Sequence, residues 1–313
     1  MDKKQQIIDL WHTCFDDSEA FISLYFDRVY NDDNTLTIEK NGQIVSTLQM
    51  LPYTMNFYGK EISVAYIYGA CTAPEYRNQG LMRQLIEESF QKMKERTIAL
   101  AVIVPADPWL FDFYREQGFT EAFDYTLEAY HRSNQVVQAP TLAVVPPEVP
   151  PLQQLYAYFD KKLRERSCCV LHTYDDFITI LRDIQQSGDQ MLTALNIQQE
   201  PVGMIFLRKD KDRIFVKELL FDNDQVKELL LQEATLQNNV KEASYVCMPV
   251  PPGTMPYGMA RVIDTDRLIN YWIEKHPHSP ILKNDLKEMD IQNLTRHLLN
   301  YPERKAYMSL MLD

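Results

Sequence analysis

The sequence predicts an α/β protein in which mixed sheets carry helices, arranged as two sheet-and-helix blocks and a short C-terminal segment. Stretches of alternating polarity come in hairpin-like groups, and each group runs into an amphipathic stretch of helical period. A proline-rich run separates the two groups. With 313 residues, the chain has room for about two domains of roughly 100–200 residues each.

The first block opens on a helical pattern, Ile7, Leu10, Trp11 and Phe15, followed by a second over residues 21–30. TLTIEKNGQIVSTLQML then sets Asn41-Gly42 between alternating segments, a strong hairpin signal because both residues tolerate the positive φ of a tight turn. MNFY, GKE and ISVAYIYGACT read as a strand, a turn and a longer strand. Leu81, Leu85, Ile86, Phe90 and Met93 fall on one stripe of a helix starting near Gly80. IALAVIVP (98–105) is a short unbroken apolar run ended by proline, hence a buried strand. LFDFYREQ reads as a short helix and residues 123–130 as the strand that closes the block.

APTLAVVPPEVPPL (139–152) has five prolines in fourteen positions. Proline removes backbone donors and disfavours helix in the residue before it, so this run reads as an extended linker. Beyond it, MLTALNIQQEPVGMIFLRKDKDRIFVKELLF gives three strands with turns at Glu200-Pro201 and at 209–212, and QVKELLLQEATLQ gives a helix. The second block thus repeats the order of the first, the pattern of a tandem duplication. A second break, PVPPGTMPYG (249–258), sets off the tail.

Lys plus Arg number 32 against 44 Asp plus Glu, a net charge of −12, which argues against nucleic-acid or anionic-membrane partners. Mean hydropathy is −0.33, and no apolar run approaches the ~20 residues that span a bilayer. The opening MDKKQQIIDLWHTCF lacks the apolar stretch of a signal peptide, so a cytoplasmic protein is expected. The five cysteines (Cys14, Cys71, Cys168, Cys169, Cys247) lack CxxC spacing and give neither a disulfide framework nor a zinc site. The six histidines never form HxxxH or HExxH; His276 and His278 read as a surface loop, and no metal is expected. Ser167 and Cys168 lack the glycines of a nucleophile elbow, and no P-loop or dinucleotide fingerprint appears.

Glycine is scarce, with nine residues, and its positions carry information. In YGACTAPEYRNQGLM (68–82) a strand enters a tight turn with Arg77 and Gly80 and passes directly into the amphipathic helix. A helix N-terminus offers unpaired N–H groups and the positive end of the dipole, which suits a phosphate, and Gly80 lets the backbone come close. Arg77 adds a charge-assisted contact. The same residues also fit a glycine-assisted strand-to-helix turn with a surface arginine. Some 25 residues later come the buried strand and then Phe113, Tyr114, Gly118 and Phe119.

Taken in order, these motifs resemble the GCN5-related N-acetyltransferase (GNAT) superfamily over about residues 35–130. The family's strand ending V-x-P corresponds to Thr72-Ala73-Pro74, its R/Q-x-x-G-x-G/A to Arg77, Gly80 and Met82, and its Y-x-x-x-G-F to Tyr114, Gly118 and Phe119. Met82 stands where a second small residue is usual. The whole chain resembles most the Eis-type (enhanced intracellular survival) multidomain acetyltransferases, which add a degenerate second GNAT-like domain and a sterol-carrier-like C-terminal domain. MARVIDTDRL from Met259 is similar to the start of that third domain and DIQNLTRHLL (290–299) to one of its helices, although the remaining chain is about half its usual length.

The layout so implied is an acetyl-CoA-binding GNAT domain at 1–138, a linker at 139–152, a degenerate GNAT-like domain at 153–252 and an abridged sterol-carrier-like segment at 253–313. The activity implied is acetyl transfer from acetyl-CoA to a primary amine, on a small molecule or a lysine-like group; the Eis branch forms multimers, and for this chain a homo-oligomer stays open. By the resemblance, the backbone of Ala70 and Thr72 lines the pantetheine arm. The N–H groups of Gln79, Gly80, Leu81 and Met82 cradle the pyrophosphate, with side-chain contacts from Arg77 and Asn78. Tyr114 is the proton donor to the leaving thiolate. The base stays unassigned between Asp107, the terminal carboxylate at Asp313 and water. Trp109 and Phe111 either wall an acceptor pocket or pack. Asp222 and Asp224 near the second block's helix start repel a pyrophosphate there. The alternatives are a non-catalytic CoA-binding module and an enzyme for longer acyl-CoAs.

Overall fold

A computed structural model of the chain describes residues 2–133, 137, 139–246, 255–303 and 306–311. It divides into two compact units. The first comprises Met1–Asp124, Ser167–Val170 and Pro256–Tyr307; the second comprises Tyr125–Arg166, Leu171–Met255 and Met308–Asp313.

In chain order the elements begin with α1 (Lys3–Cys14), α2 (Glu19–Arg28), β1 (Thr35–Lys40), β2 (Gln43–Phe57) and β3 (Lys60–Thr72). Next come α3 (Leu81–Glu95), β4 (Leu100–Ile103), α4 (Pro108–Arg115), β5 (Thr120–Tyr125), β6 (Leu127–His131) and β7 (Ala143–Val145). They continue with α5 (Leu152–Arg164), β8 (Cys169–Leu171), α6 (Tyr174–Ser187), β9 (Gln190–Leu195), β10 (Pro201–Asp210) and β11 (Arg213–Phe221). The last are α7 (Asp224–Gln237), β12 (Glu242–Val246), β13 (Met255–Val262), α8 (Thr265–Lys275), α9 (Lys283–Glu288) and α10 (Ile291–Leu298).

The first unit's sheet runs β1-β2-β3-β4-β13-β5, with β8 pairing β2 off this path. Asn41 and Gly42 turn β1 into β2 with φ of 53° and 77°, as the hairpin signal requires. MNF belongs to β2, which is one strand of fifteen residues rather than two, and Tyr58 falls in the turn that follows. Pro52 is tolerated inside it because the pairing with β1 ends at Gln49, so its missing N–H leaves no gap in that ladder. The helix stripe of α3 packs on one face of the sheet: Leu85, Ile86, Phe90 and Met93 join Leu48, Met50, Ala65, Ile67, Ala101 and Ile103 in one core cluster. On the other face α1 and α2 bury Ile7, Trp11, Tyr25 and Phe26.

The C-terminal segment joins this unit. Strand β13 pairs antiparallel with β4, Met259 opposite Ile103 and Val262 opposite Leu100, and lies between β4 and β5. Met259 and Ile263 enter the same core cluster as α3. Residues 256–307 therefore group with the first unit, where the sequence reading sets 253–313 apart as a sterol-carrier-like segment. The reason is the ladder: withdrawing β13 would leave β5 without its neighbour and β4 paired only with β3. Residues 249–254 of the second break and Cys247 lie outside the described residues.

The second unit's sheet runs β6-β12-β11-β10-β9-β7. Strands β9, β10 and β11 form an antiparallel meander, α7 follows, and β12 returns parallel to β11. This is the order of β1, β2, β3, α3 and β4 in the first unit, where β4 is parallel to β3, and it supports the duplication. The proline-rich run is not wholly linker, since Ala143–Val145 pairs with β9 at the sheet edge, where flanking prolines cost no ladder bond. The stretch 123–130, read as one strand, is two, and they lie in different sheets.

His172, 4% exposed, places Nε2 2.6 Å from the carbonyl oxygen of Ser309. A carbonyl only accepts, so Nε2 carries the proton. Burial lowers the His172 pKa below its ordinary value. The unfolded chain, with histidine near pKa ~6.5, then takes up a proton that the folded chain resists, so stability is complete above that pH and falls as pH drops below it. Denaturant unfolding monitored from pH 7.5 to 5.5 is expected to lose about 1 kcal/mol per pH unit below ~6.5, and His172→Gln to flatten that slope. Equal slopes in the two proteins would refute the assignment.

Candidate active site

Parallel pairing between β3 and β4 covers Val64 to Tyr66 against Leu100 to Val102, whereas β3 continues along β2 to Thr72. On β2 the register passes from Gln49 opposite Tyr68 to Thr47 opposite Cys71, so β3 carries one extra residue there, a β-bulge. Gly69 makes it, with φ of 55°. A Cβ at Gly69 would meet the Trp11 ring at 2.5 Å and Gln49 Oε1 closer still, so this backbone is pressed against the α1 face. The bulge turns β3 just past the last pair it shares with β4.

Beyond the bulge, Ala73 N–H donates to Val45 O at 2.9 Å while Ser46 faces Thr72. That makes Ser46 and Thr72 a non-hydrogen-bonded pair and turns the Thr72 N–H and C=O away from β2. The Thr72 carbonyl accepts from Arg77 Nε at 3.0 Å and from the Cys14 thiol at 3.6 Å. Arg77 is thus braced against the end of β3.

The chain then makes a one-turn 3-10 helix at Pro74–Tyr76 and two left-handed residues, Asn78 (φ 60°) and Gly80 (φ 76°), before α3. Gln79 Nε2 donates to Glu75 O at 3.4 Å across the turn. Gly80 caps α3 without a side chain, and the first turn holds no acid. Gln84 N–H makes the first intrahelical bond, to Gly80 O at 3.0 Å, so Leu81, Met82 and Arg83 present their N–H groups at the open end. Met82 is half-buried and packs on the α3 core, which absorbs the bulk that distinguishes it from a small residue. In the second unit α7 is closed at the corresponding point: the Asn223 side chain accepts from Val226 N–H, and Asp224 sits in the first turn.

Tyr114 lies on α4, 5% exposed, in the same core cluster that Ala70 and Met82 pack against. Its ring meets Phe113 and Phe119 edge-on at 5.2 and 5.9 Å. Burial pushes its phenol well above the ordinary tyrosine range, so the group is a neutral O–H donor. Gly118, with φ of 82°, ends this helix where a Cβ would stand 2.7 Å from Arg261 Nε of β13. The glycine of Y-x-x-x-G-F thus has a local reason, the left-handed turn after α4 in which Phe119 N–H donates to Tyr114 O, and a non-local one, the Arg261 side chain.

Eight of the residues singled out by sequence therefore fall on one continuous path from Ala70 to Met82, with the ninth, Tyr114, beside it on the α3 face. Tyr66 and Tyr68 are opposite Leu51 and Gln49 and face α1 and α2 instead. Asp107 is exposed at the start of α4 and makes no capping bond there. Phe111 is 9% exposed and packs in the core, while Trp109 is 65% exposed. Asp313 lies outside the described residues. Gly69 and the Cys14–Thr72 contact are the features that sequence reasoning missed; a strand glycine next to a motif is the one signal that pointed to the first.

Among the described residues no group of three or more His, Cys, Asp or Glu side chains is placed to hold a metal ion. No helix among them is long and apolar enough to cross a membrane.

Residues 1–122 match the family model described as an acetyltransferase (GNAT) domain. No curated protein sequence matches the chain. Among solved structures, the chain is similar to a probable N-acyltransferase of Enterococcus faecalis at 15% identity and a TM-score of 0.70, over 84% of this chain and 70% of that one. A GCN5-related N-acetyltransferase of Anabaena variabilis aligns at 16% identity and a TM-score of 0.68, over 85% and 71%. Eis1 of Mycobacterium abscessus aligns at 11% and 0.60, over 80% and 72%. At these identities the likeness is one of fold. Residues 1–122, the stretch that the acetyltransferase (GNAT) domain model matches, contain the folded path from β3 into α3.

Proposed function

We propose that the first unit binds acetyl-CoA between β3 and β4 and transfers its acetyl group to a primary amine. The observation that carries this reading is the continuity of the β3 stretch beyond its last pair with β4 with an uncapped, acid-free helix N-terminus. The backbone of Ala70 and Thr72 holds the pantetheine arm. The N–H groups of Gln79, Gly80, Leu81 and Met82 take the pyrophosphate, aided by the Arg77 and Asn78 side chains. The amine nitrogen attacks the thioester carbonyl, the C–S bond breaks, and the departing thiolate takes the Tyr114 proton. The amine's own proton passes to solvent or to a base on the acceptor side. From Ile62 to Thr72, β3 carries no carboxylate to serve there.

That lack favours one second reading, a module that binds CoA without turnover. Release of free thiol on addition of an amine separates the two. Longer acyl-CoAs remain alternative donors and belong in the same assay.

Gly80→Asp tests the binding site cleanly. A Cβ at Gly80 would have nothing within 4 Å, and aspartate tolerates left-handed φ, so the fold is retained. The added carboxylate faces the pyrophosphate. Acetyl-CoA at 100-fold excess over Kd is expected to stabilise the wild type by about 2.7 kcal/mol and the variant hardly at all. Equal stabilisation of both would remove the loop from the site.

A further inference from the structure

Cys14, the last residue of α1, is half-buried, and its thiol reaches the Thr72 carbonyl at 3.6 Å. Cys71 precedes Thr72 on β3 and is 7% exposed. Opposite Thr47 in the β2 register, it faces α1, the side from which the Cys14 thiol reaches Thr72. Arg77 Nε donates to the same carbonyl at 3.0 Å. Two thiols, one cation and the end of the proposed pantetheine strand thus form a single cluster.

We infer that Cys14 and Cys71 are a thiol modification site, closed to a disulfide by a low-molecular-weight disulfide, which withdraws the strand from acyl-CoA. The gating half of this rests on the proposed function. The Cys71 S–H and the Arg77 guanidinium hold the Cys14 thiol down to about 7, against the opposing pull of burial and of Glu75, so a substantial fraction is thiolate near neutrality. The Cys71 thiol is pushed up by its partner and by burial and stays protonated. This division assigns Cys14 as the attacking sulfur and Cys71 as the resolving one.

The Cys14 thiolate attacks one sulfur of the reagent RSSR, forming a Cys14–SR mixed disulfide and releasing RS⁻. The Cys71 thiol then loses its proton to water and attacks the Cys14 sulfur, forming the Cys14–Cys71 bond and releasing a second RS⁻. Two protein thiols are oxidised by two electrons, and one RSSR is reduced to two thiols. The product brings the sulfurs to ~2.05 Å, drawing the end of α1 onto β3. It also removes the thiolate charge beside Arg77 and shifts the Thr72 carbonyl on which that arginine is braced.

The test incubates the full chain with glutathione disulfide, blocks remaining thiols and maps peptides without reduction. A Cys14–Cys71 cross-linked peptide that dithiothreitol removes is expected, with the buried Cys168 and Cys169 still free. Acetyl-CoA affinity of the oxidised protein is expected to fall by about tenfold or more and to return on reduction. Cys14→Ser should bind acetyl-CoA equally before and after the oxidant. Blocking of both cysteines with no cross-link overturns the site, and a cross-link with unchanged affinity overturns the gating. A reduced protein that ignores acetyl-CoA sinks the proposed function and the gating with it, and the peptide map alone then decides the thiol chemistry.

Discussion

Gly69→Ala is expected to cost the first unit about 3 kcal/mol and to abolish acetyl-CoA binding, the largest effect of any single methyl group at this site. Two terms add. A non-glycine residue at left-handed φ costs ~1–2 kcal/mol, and Gly69 stands at 55°. Forcing a methyl into a filled core costs a further ~1–3 kcal/mol, and here the Cβ meets Trp11 and Gln49, both buried. Gln49 cannot simply withdraw, because its Oε1 accepts the Tyr25 hydroxyl at 2.8 Å. Relief comes from shifting the bulge, and the bulge is what turns β3 past its last pairing with β4. Gly80→Ala is the control: it shares the positive φ, at 76°, but its Cβ meets nothing within 4 Å. Denaturant midpoints of the two variants therefore isolate the clash. Equal losses would show that backbone strain alone acts at Gly69 and that Trp11 and Gln49 yield freely.

The contrast between these glycines also marks how far the sequence can be read. Gly80 announces itself, because a glycine between a strand and an amphipathic stripe has a local reason, and the cap on α3 stands where that stripe begins. Asn41-Gly42 is legible for the same reason. Gly69 and Gly118 are different. Each sits at a left-handed φ, and a residue distant in sequence also fills the space where its Cβ would be, Trp11 in one case and Arg261 in the other. The placement of β13 between β4 and β5 is likewise non-local: the pattern of MPYGMARV permits a strand but does not choose its partner. The same holds for Ala143–Val145, where five nearby prolines obscure a short edge strand that β9 supplies with a ladder. The proposed cofactor path from Ala70 to Met82 is contiguous and so could be read as one stretch, whereas the Cys14 contact could not, because 58 positions separate that thiol from Thr72.

Tyr114→Phe is expected to lower kcat for acetyl transfer by about 100-fold while leaving the acetyl-CoA affinity within about twofold. The substitution keeps the ring, and the ring is what packs: its neighbours Phe113 and Phe119 meet it edge-on, and neither contact involves the hydroxyl. The fold and the cofactor site are therefore preserved, and the proton alone is lost. The pH dependence gives the sharper discrimination. Burial holds the Tyr114 phenol above the ordinary range, so the wild type keeps its donor across the whole working interval and shows no alkaline loss from this group. A departing thiolate with a solution pKa of ~8.5 needs protonation most below that pH. The deficit of the variant should therefore be greatest near pH 7 and shrink above ~8.5, where the thiolate is stable on its own. A deficit that appears in acetyl-CoA affinity at constant kcat would make Tyr114 a binding residue, and turnover equal to wild type at every pH would leave the hydroxyl without a part in the chemistry. A loss confined to kcat and greatest at low pH can come only from the missing proton, since a packing defect has no reason to relent as the solution becomes alkaline.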